Sequence, residues 1–360
     1  VTGDALAQRH DDRDAIDQLV VGMTIPQQHS FYAAPWLASR LGLPAVSGPL
    51  VSQACATSVV CLVAAAASVE AEAGALPLVV ATDRTSNGPL LLYPRSQSIG
   101  GSPATEHWVL DNFAADPNTG QAMVATAENV AREGAMTRAA LDELTLLRWT
   151  QYQAALANDR RFQRRYLQPV AIALGKGRTL RVEVDEGVHP YTADGLASLK
   201  PVHEGGVVTF GSQTHPADGC AGALVMRAER ARAMAQGGPV VRLLAAATAR
   251  VGKALMPKAA TAAALKALEA GGVRLADVRY VSSHNPFAVN DLWFAQQTGF
   301  PMERMNPYGS SLIYGHPQGP TGLRGIVELA HALAEAGGGI GVFTGCAAGD
   351  SGAAVVVRVD

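Results

Sequence analysis

The sequence lacks an excess of charge of either sign. Its formal net charge is −2 over 360 residues, and only 17% of the residues are charged. Nucleic-acid binding proteins use a strongly basic face to neutralise phosphates, so we expect no nucleic-acid partner. Hydrophobic residues make up 48% of the chain, which excludes a disordered protein and predicts a large buried core.

Long apolar runs are also missing. The most apolar stretch, VVCLVAAAAS at 59–68, is shorter than the roughly 20 residues that span a bilayer. No signal-peptide pattern opens the chain, so we expect a cytoplasmic protein without a membrane partner. The first residue is Val1 and not methionine, and we therefore expect the natural N-terminus to lie upstream.

Cysteine is scarce, with four residues at positions 55, 61, 220 and 346. None of them forms a CxxC pair, so the sequence predicts neither a cysteine zinc site nor a disulfide framework. We expect all four thiols to be free in a reducing compartment. Cys61 and Cys220 lie among small apolar residues and are predicted to be buried structural cysteines.

Strands and helices alternate in the N-terminal part. Residues 17–22 and 76–82 are predicted strands, and the stretch 55–74 between them is a predicted helix. This order is typical of a parallel α/β sheet. The strand pattern returns after residue 206 at VVTFG and GALVMRA.

A second unit starts near residue 239 and repeats the strand–helix–strand order, which indicates an internal duplication. Its predicted helices are 259–270, 290–298 and about 320–336, and its later strands are 278–282, 340–345 and 352–358. Residues 85–205 differ from both units, since they are rich in Gly, Pro, Ser and Asn at first and then helical at 121–133 and 137–157. We therefore predict an N-terminal half at 1–237 with an insertion at 85–205, and a C-terminal half at 238–360.

Three separate stretches carry residues that could take part in catalysis. Cys55 directly precedes a predicted helix, whose N-terminal dipole favours a thiolate, the nucleophilic form of cysteine. Cys346 follows a predicted strand and is itself followed by small residues. The segment GHPQGPTG places His316 in a loop that glycine and proline bend, either as ordinary loop punctuation or to turn the imidazole toward a reacting group.

Taken together, these stretches resemble the thiolase family. That family has a QxCxSG-like segment, a GHPxGxTG segment and a CxGxG-like segment, which are similar to VSQACATS, GHPQGPTG and TGCAAGDSG here. The stretch beginning TGQAMVATAENVARE resembles the thiolase lid helices, and HNPFAVN takes the place of the family's NEAF segment. The resemblance covers nearly the whole chain and implies a duplicated, layered αβαβα fold with an inserted lid domain.

The resemblance also implies roles for four residues. Cys55 would take an acyl group from a CoA thioester, and His316 would activate it as a base. Cys346 would act as the acid and base at the α-carbon. His284 takes the place of the NEAF asparagine, as in sterol-carrier-type thiolases, and would donate a hydrogen bond in an oxyanion hole.

A second oxyanion hole in the family uses two backbone N–H groups, that of the nucleophile and that of a glycine. Ala348 stands at the glycine position here. Alanine keeps this donor only if the backbone there does not need a positive φ. Otherwise Gly349 would have to take over after a shift of one residue.

Departures from the family pattern surround the expected acyl site. The sequence has TDRTSNG, QAMVA and SQTH where the family has GGVESMS, an HMG-like segment and NASG. Met123, Phe287 and His215 are the predicted substrate contacts, although a structural role for His215 remains open. The departures favour an acyl group bulkier or more polar than acetoacetyl.

The resemblance implies no bound metal or cofactor, with coenzyme A and acyl-CoA as substrates. It also implies a homodimer or a dimer of dimers, and divergent thiolases leave open a small zinc-ribbon/OB-fold partner subunit. Two other functions stay open. A ketoacyl-synthase-like condensing enzyme would use one cysteine with two histidines, and an inactive thiolase-like scaffold would use none of these residues.

Overall fold

A computed structural model describes residues 13–97, 99–235 and 238–360. This part of the chain contains eleven α-helices and twelve β-strands. The helices are α1 (Ala33–Arg40), α2 (Thr57–Ala71), α3 (Leu110–Ala114), α4 (Met123–Glu133), α5 (Arg138–Arg160), α6 (Ala193–Ser198), α7 (Ala228–Ala235), α8 (Lys258–Ala270), α9 (Ala288–Thr298), α10 (Ser311–Tyr314) and α11 (Thr321–Glu335). The strands are β1 (Gln18–Gly22), β2 (Leu50–Val51), β3 (Pro77–Arg84), β4 (Leu90–Tyr93), β5 (Ala104–His107), β6 (Val170–Gly175), β7 (Arg178–Val182), β8 (Asp218–Leu224), β9 (Val241–Arg250), β10 (Val278–His284), β11 (Gly339–Ala347) and β12 (Ser351–Val359).

Two four-stranded sheets repeat one topology. The N-terminal sheet has the order β2-β1-β3-β8, and the C-terminal sheet has the order β10-β11-β12-β9. In each, a parallel pair (β1 with β3, β10 with β11) is extended by an antiparallel strand (β8, β12). The repeated pairing supports the internal duplication that element order predicts.

The two sheets differ at one edge. In the C-terminal sheet β9 pairs antiparallel with β12, whereas the outer edge of β8 has no strand partner in the described part of the chain. Cys61 is buried as predicted, but Cys220 on β8 is exposed, so the prediction for Cys220 is wrong. Burial alternates along β8, with Cys220 on the exposed side of this edge strand and Ala221 packed against the core cluster.

The sheets and helices stack in five layers. Helix α1 packs on β1 at the outer face of the N-terminal sheet, and α8 packs on β9, β11 and β12 at the outer face of the C-terminal sheet. Helices α2 and α11 lie between the sheets and contact each other. This is the αβαβα arrangement, with both central helices covered on two sides.

Helix α2 is apolar on all sides, as a helix sandwiched between two sheets must be. Its Val59 and Leu62 share one core cluster with Leu323 of α11 and with Phe343 and Val355 of the C-terminal sheet. The apolar stretch Ala54–Ala71 is longer than the sequence analysis predicts, and by length and composition alone it could cross a membrane. One side of the helix packs into the core between the sheets, and Val63 on another side is exposed.

Two glycines in α11 set how closely the central layer packs. A Cβ at Gly325 would come within 2.6 Å of the Phe343 ring, and one at Gly322 within 2.9 Å of the Ser58 hydroxyl. Any larger residue at these positions would push α11 away from the C-terminal sheet or from α2. Because α11 begins five residues after His316, this packing also fixes the position of the histidine loop.

The insertion, residues 85–205, lies outside the two four-stranded sheets. It contains the hairpins β4–β5 and β6–β7 and the helices α3 to α6. The predicted strand VVTFG is not a strand, since Thr209 makes only an isolated bridge to Pro201. The Glu128 carboxylate accepts hydrogen bonds from the N–H groups of Val207 and Val208 at 3.0 and 2.8 Å, so a lid side chain takes the place of a neighbouring strand.

Candidate active site

Cys55 lies in the turn between β2 and α2. Ala54 before it has a left-handed backbone with a φ of 45°, which turns the chain sharply into the helix. The Thr57 hydroxyl holds this turn by donating to the Ala54 carbonyl at 2.7 Å and accepting from the Gln53 N–H at 2.8 Å. Cys55 is half-buried and faces the histidine loop.

His316 is in direct hydrogen-bond contact with Cys55. Its Nε2 lies 3.0 Å from the Cys55 Sγ, and its Nδ1 lies 2.7 Å from the Thr321 hydroxyl. A neutral imidazole protonated at Nδ1 donates to Thr321 and leaves Nε2 to accept the thiol proton. Thr321 is therefore a positioning residue, and it lies inside the GHPQGPTG segment from which it could have been inferred.

Buried Asp83 anchors the loop that carries His316. Its carboxylate accepts from the Gly319 N–H at 2.7 Å and from the N–H groups of Thr24 and Ile25 at 2.9 Å. The His316 N–H donates to the His215 carbonyl at 2.8 Å. These hydrogen bonds fix the loop on both sides of His316. The imidazole is therefore held in a constant position beside the Cys55 sulfur.

The proton of the Cys55–His316 pair rests on sulfur. Burial raises the pKa of Cys55 to about 12, and burial lowers the pKa of His316 to about 3. The dipole of α2 therefore does not produce a resting thiolate, contrary to what the sequence suggests. The thiolate has to form by proton transfer to His316, and it then needs donors around the sulfur.

Two backbone donors face the Cys55 sulfur. The N–H groups of Ala348 and of Cys55 itself act to lower the pKa of the thiol, against the larger rise caused by burial. Ala348 is not among the residues with a positive φ, so alanine is accommodated at the place of the family's glycine. Gly349 has a φ of 80° and shapes the turn, and no shift of one residue is needed.

His284 lies at the end of β10 with its ring stacked on that of His316. The ring centroids are 4.0 Å apart, and the residue is 1% exposed. Its Nδ1 lies 2.8 Å from the Ser311 hydroxyl, which also accepts from the Asn285 N–H at 3.3 Å. The His284 Nε2 has no partner among the described residues, and it carries the proton when the Ser311 hydrogen points at Nδ1 and not at the Asn285 Oδ1 3.4 Å away. A buried donor without a partner is what an oxyanion hole contains before substrate binds.

Cys346 lies at the end of β11, 1% exposed, and accepts a hydrogen bond from the Asn290 amide at 3.2 Å. Burial raises the pKa of this thiol above its ordinary value, and the nearby Cys55 raises it further. Asn290 is a positioning residue that the sequence analysis missed, although it ends the HNPFAVN segment. A protonated thiol beside the nucleophile can supply a proton to a carbanion.

The predicted substrate contacts separate into two groups. Phe287 belongs to the apolar cluster that contains Cys346, and Met123 packs against the same cluster. His215 contributes its carbonyl to His316, while its ring Nε2 is buried with no partner among the described residues. His215 therefore contacts the loop that carries His316 through its backbone carbonyl.

Cys55, His284 and His316 also form the kind of donor set that a metal ion uses, with ligand atoms all within 4.8 Å of one another. The separation of 3.0 Å between the Cys55 Sγ and the His316 Nε2 is shorter than the roughly 3.6 Å that tetrahedral zinc ligands would keep. The distance suits a shared proton better than a shared ion. Cys55 and His316 therefore form a hydrogen-bonded thiol–imidazole pair.

A buried ion pair, Arg148 with Asp291, holds the residue that follows His284. The Asp291 carboxylate accepts from the Arg148 Nε at 2.8 Å and from the Asn285 amide at 2.7 Å, and both charged side chains are almost fully buried. Asp291→Ala should lower the free energy of unfolding by about 3–5 kcal/mol, because it leaves the Arg148 charge unpaired in the core. The exposed pair Arg274–Asp277 provides the control, since Asp277→Ala should cost at most about 1 kcal/mol. Urea unfolding of both variants checks this, and equal losses would contradict it.

The buried neutral state of His316 should make stability depend on pH. The pKa of His316 is about 3 in the folded chain and about 6.5 in the unfolded chain. At a pH between these two pKa values, the unfolded chain binds a proton at this histidine and the folded chain does not. Stability therefore falls as the pH falls through this window. Between about pH 7 and pH 5 the wild type should lose about 2 kcal/mol more than His316→Asn, which has no such proton. Urea unfolding at both pH values measures the difference, and parallel losses would contradict it.

The fold and the site define an acyltransferase in which a cysteine contacts a histidine and a second cysteine is buried close by. The chain belongs to the thiolase family. Residues 1–229 match the family model "Thiolase, N-terminal domain", and residues 238–359 match "Thiolase, C-terminal domain". The predictions of family, fold class and enzyme class are therefore confirmed.

Curated relatives and solved structures agree with this assignment. The chain is 29% identical over 354 residues to the acetyl-CoA acetyltransferase of Escherichia coli, a match that covers 96% of this chain and 88% of the relative. It is 33% identical over 239 residues to the peroxisomal 3-ketoacyl-CoA thiolase B of Rattus norvegicus, covering 64% and 55%. Human mitochondrial 3-ketoacyl-CoA thiolase has the same fold, with a TM-score of 0.90 at 23% identity over 99% of this chain and 90% of that one. The same human enzyme has also been solved in complex with CoA, with a TM-score of 0.88 at 23% identity over the same shares of the two chains.

Proposed function

We propose that this thiolase cleaves a 3-oxoacyl-CoA with coenzyme A, through an acyl group carried on Cys55. The observation that carries this proposal is the contact of 3.0 Å between the Cys55 sulfur and the His316 Nε2, with buried Cys346 beside them. Two cysteines in different protonation roles are what carbon–carbon bond cleavage needs, one to take the acyl group and one to protonate the carbanion that leaves.

The reaction begins with proton transfer from Cys55 to His316. The thiolate attacks the 3-oxo carbonyl, and the backbone N–H groups of Cys55 and Ala348 stabilise the oxyanion. The C2–C3 bond then breaks, and its electron pair forms an enolate of acetyl-CoA, or of another short acyl-CoA. Cys346 protonates the enolate at C2 while the Nε2–H of His284 holds its oxygen.

The second half returns the enzyme to its starting state. The Cys346 thiolate removes the proton of the incoming CoA thiol, and the CoA sulfur attacks the thioester on Cys55. The S–C bond to Cys55 breaks, the shortened acyl-CoA leaves, and the Cys55 thiolate recovers its proton from His316. All protons are restored and no oxidant or reductant is used.

We further propose a bulky or unusual acyl group and a degradative direction. The support is the set of departures TDRTSNG, QAMVA and SQTH from the family pattern, together with the apolar cluster that Phe287, Cys346 and the adjoining Met123 share. A dimer, with or without a small partner subunit, is the assembly we expect from the family.

A panel of 3-oxoacyl-CoA esters tests this function. Acetoacetyl-CoA and longer, branched and aromatic 3-oxoacyl-CoAs are mixed with free CoA, and loss of the 3-oxoacyl absorbance is followed, with Cys55→Ala as the control. We expect at least one bulky member to be cleaved faster than acetoacetyl-CoA by the wild type and not by the variant. If every member stays intact, the cleavage proposal fails.

A condensing enzyme of the ketoacyl-synthase type is the second candidate, favoured by the stacked pair His284 and His316 beside Cys55. Such an enzyme would use these three residues and would not need Cys346. Its activity would therefore survive Cys346→Ala, whereas thiolase activity would not.

A further inference from the structure

Asp350 lies in the turn between β11 and β12, four residues after Cys346, and has an unusual backbone. Its φ is 56°, in the left-handed region that a residue with a Cβ rarely adopts, although aspartate tolerates it better than most residues. The family's CxGxG-like segment has its second glycine at this position, and the sequence alone assigns the aspartate no role. The residue is 4% exposed, and a buried carboxylate needs hydrogen-bond partners.

The partners of Asp350 are backbone N–H groups of the loop between β9 and α8, residues 251–257. The Asp350 carboxylate accepts from the N–H groups of Ala254 and Leu255, one at each oxygen and both at 3.0 Å. The Asp350 carbonyl accepts from the Val251 N–H at 2.9 Å. Ala254 also has a positive φ, of 58°. Two unfavourable backbone conformations that face each other persist only because the hydrogen bonds between them hold both in place.

The far end of this loop adjoins the Cys346 thiol. The Asn290 amide nitrogen lies 3.2 Å from the Cys346 Sγ and 3.5 Å from the Pro257 carbonyl oxygen, so one donor contacts both the thiol and the loop. Met256, which is 5% exposed, belongs to the same apolar cluster as Cys346. Asp350 therefore anchors a loop whose last residues contact the hydrogen-bond partner of Cys346 and share its apolar surroundings.

We propose that Asp350 is a positioning residue for Cys346, whose carboxylate holds the 251–257 loop closed over the thiol so that the thiol meets the substrate carbon and not water. The inference rests on the proposed function for the role of Cys346 as acid and base. A proton donor must be held at the carbon that it protonates, and a small displacement of a reacting group costs a large factor in rate. Asp350 acts through the loop and not by contact with the substrate.

Alkylation of the buried cysteines measures closure of the loop without any CoA ester. Cys346 is 1% exposed, and Cys61 is 0% exposed in the core between the sheets. Opening of the loop should expose Cys346 alone, whereas global unfolding exposes both. The rates of labelling by iodoacetamide are followed at the two peptides by mass spectrometry, in a Cys55→Ala background so that a label on Cys55 does not block the site.

Two substitutions of Asp350 keep its backbone conformation. Asp350→Gly removes the carboxylate, and glycine accepts the φ of 56° without strain. Asp350→Asn keeps one acceptor oxygen, and asparagine also tolerates this φ. Asp159→Gly is the matched control, because Asp159 has a φ of 57° and an exposed side chain that pairs with Arg164 at the surface.

We expect Asp350→Gly to raise the labelling rate at Cys346 about tenfold to a hundredfold and to leave Cys61 unchanged. Loss of hydrogen bonds to a charged group should raise the population of the open loop by about that factor. Asp350→Asn should have a smaller effect, and Asp159→Gly should match the Cys55→Ala parent. The parent rate at Cys346 in Asp350→Gly would overturn the proposal, and so would an equal increase at Cys346 and Cys61. Asp350→Asn carries the comparison if Asp350→Gly does not fold.

A second measurement separates positioning of Cys346 from stability of the fold. With Cys55 present, Asp350→Gly should slow cleavage of the best ester of the panel by about tenfold or more and leave alkylation of Cys55 at the wild-type rate. A residue that only stabilised the fold would lower both rates together. Undiminished cleavage would overturn the proposal. If no ester of the panel is cleaved by the wild type, the proposed function fails, and the labelling of Cys346 still decides whether Asp350 closes the loop.

Discussion

Cys346→Ala should abolish carbon–carbon bond cleavage and leave Cys55 reactive. The variant removes the thiol that protonates the enolate carbon, and loss of a positioned general acid typically costs about a hundredfold to ten-thousandfold in rate. The nucleophile keeps its base, since the Cys55 Sγ to His316 Nε2 contact of 3.0 Å does not involve Cys346. Cleavage is measured with the best ester of the panel, and nucleophile reactivity with iodoacetamide at Cys55.

The control for this prediction is Cys61→Ala. Cys61 is also buried, but it packs in the core between the sheets, away from His316. It should lose some stability and keep cleavage activity. Full cleavage activity in Cys346→Ala would contradict the thiolase mechanism and favour the ketoacyl-synthase alternative.

His284→Ala should lower kcat/KM for cleavage by about a hundredfold or more, because it removes one donor of the enolate oxyanion hole. His284→Asn should recover part of the loss, since an amide can also donate and asparagine is the residue of the family's NEAF segment. Neither change should slow alkylation of Cys55, which needs no enolate. Steady-state kinetics and alkylation of the two variants make this comparison.

Ser311→Ala separates donation from orientation at His284. The Ser311 hydroxyl contacts the His284 ring only at Nδ1, at 2.8 Å. Its loss removes the hydrogen bond that orients the ring, but the Nε2 nitrogen that donates is still present. Its effect should be smaller than that of His284→Ala. If His284→Ala retains full cleavage activity, the histidine is a structural residue and the assignment to the oxyanion hole is wrong.

The sequence was most informative where chemistry and backbone shape constrain the same residues. Cys55, His316 and Cys346 are separated by 261 and 30 positions, yet a short motif marks each of them, and the motifs of His316 and Cys346 are rich in glycine. The repeated element order also indicated the two similar sheets. In these places local sequence pattern and global fold carry the same information.

Contacts between distant segments were not predictable. Asn290 meets Cys346 across 56 positions, and Asp83 meets Gly319 across 236. Each is an ordinary polar residue in its local sequence, and only the packed layers bring it to the site.

The errors have physical causes as well. VVTFG has the composition of a strand, but the Glu128 carboxylate binds its N–H groups from the lid. Cys220 lies among small apolar residues, yet β8 is an edge strand in the described part of the chain. The dipole of α2 favours a thiolate at Cys55, whereas burial of the sulfur is the larger effect and keeps the proton there.

The most direct test of the central claim is to find the acyl group. The protein is mixed with the preferred 3-oxoacyl-CoA without free CoA, quenched in acid within one turnover, digested and examined by mass spectrometry. The account predicts the shortened acyl group on the Cys55 peptide, with an equal amount of acetyl-CoA or another short acyl-CoA released, and neither in His316→Ala on the same time scale. An acyl group on Cys346, or release of products without any acylated Cys55, would contradict it.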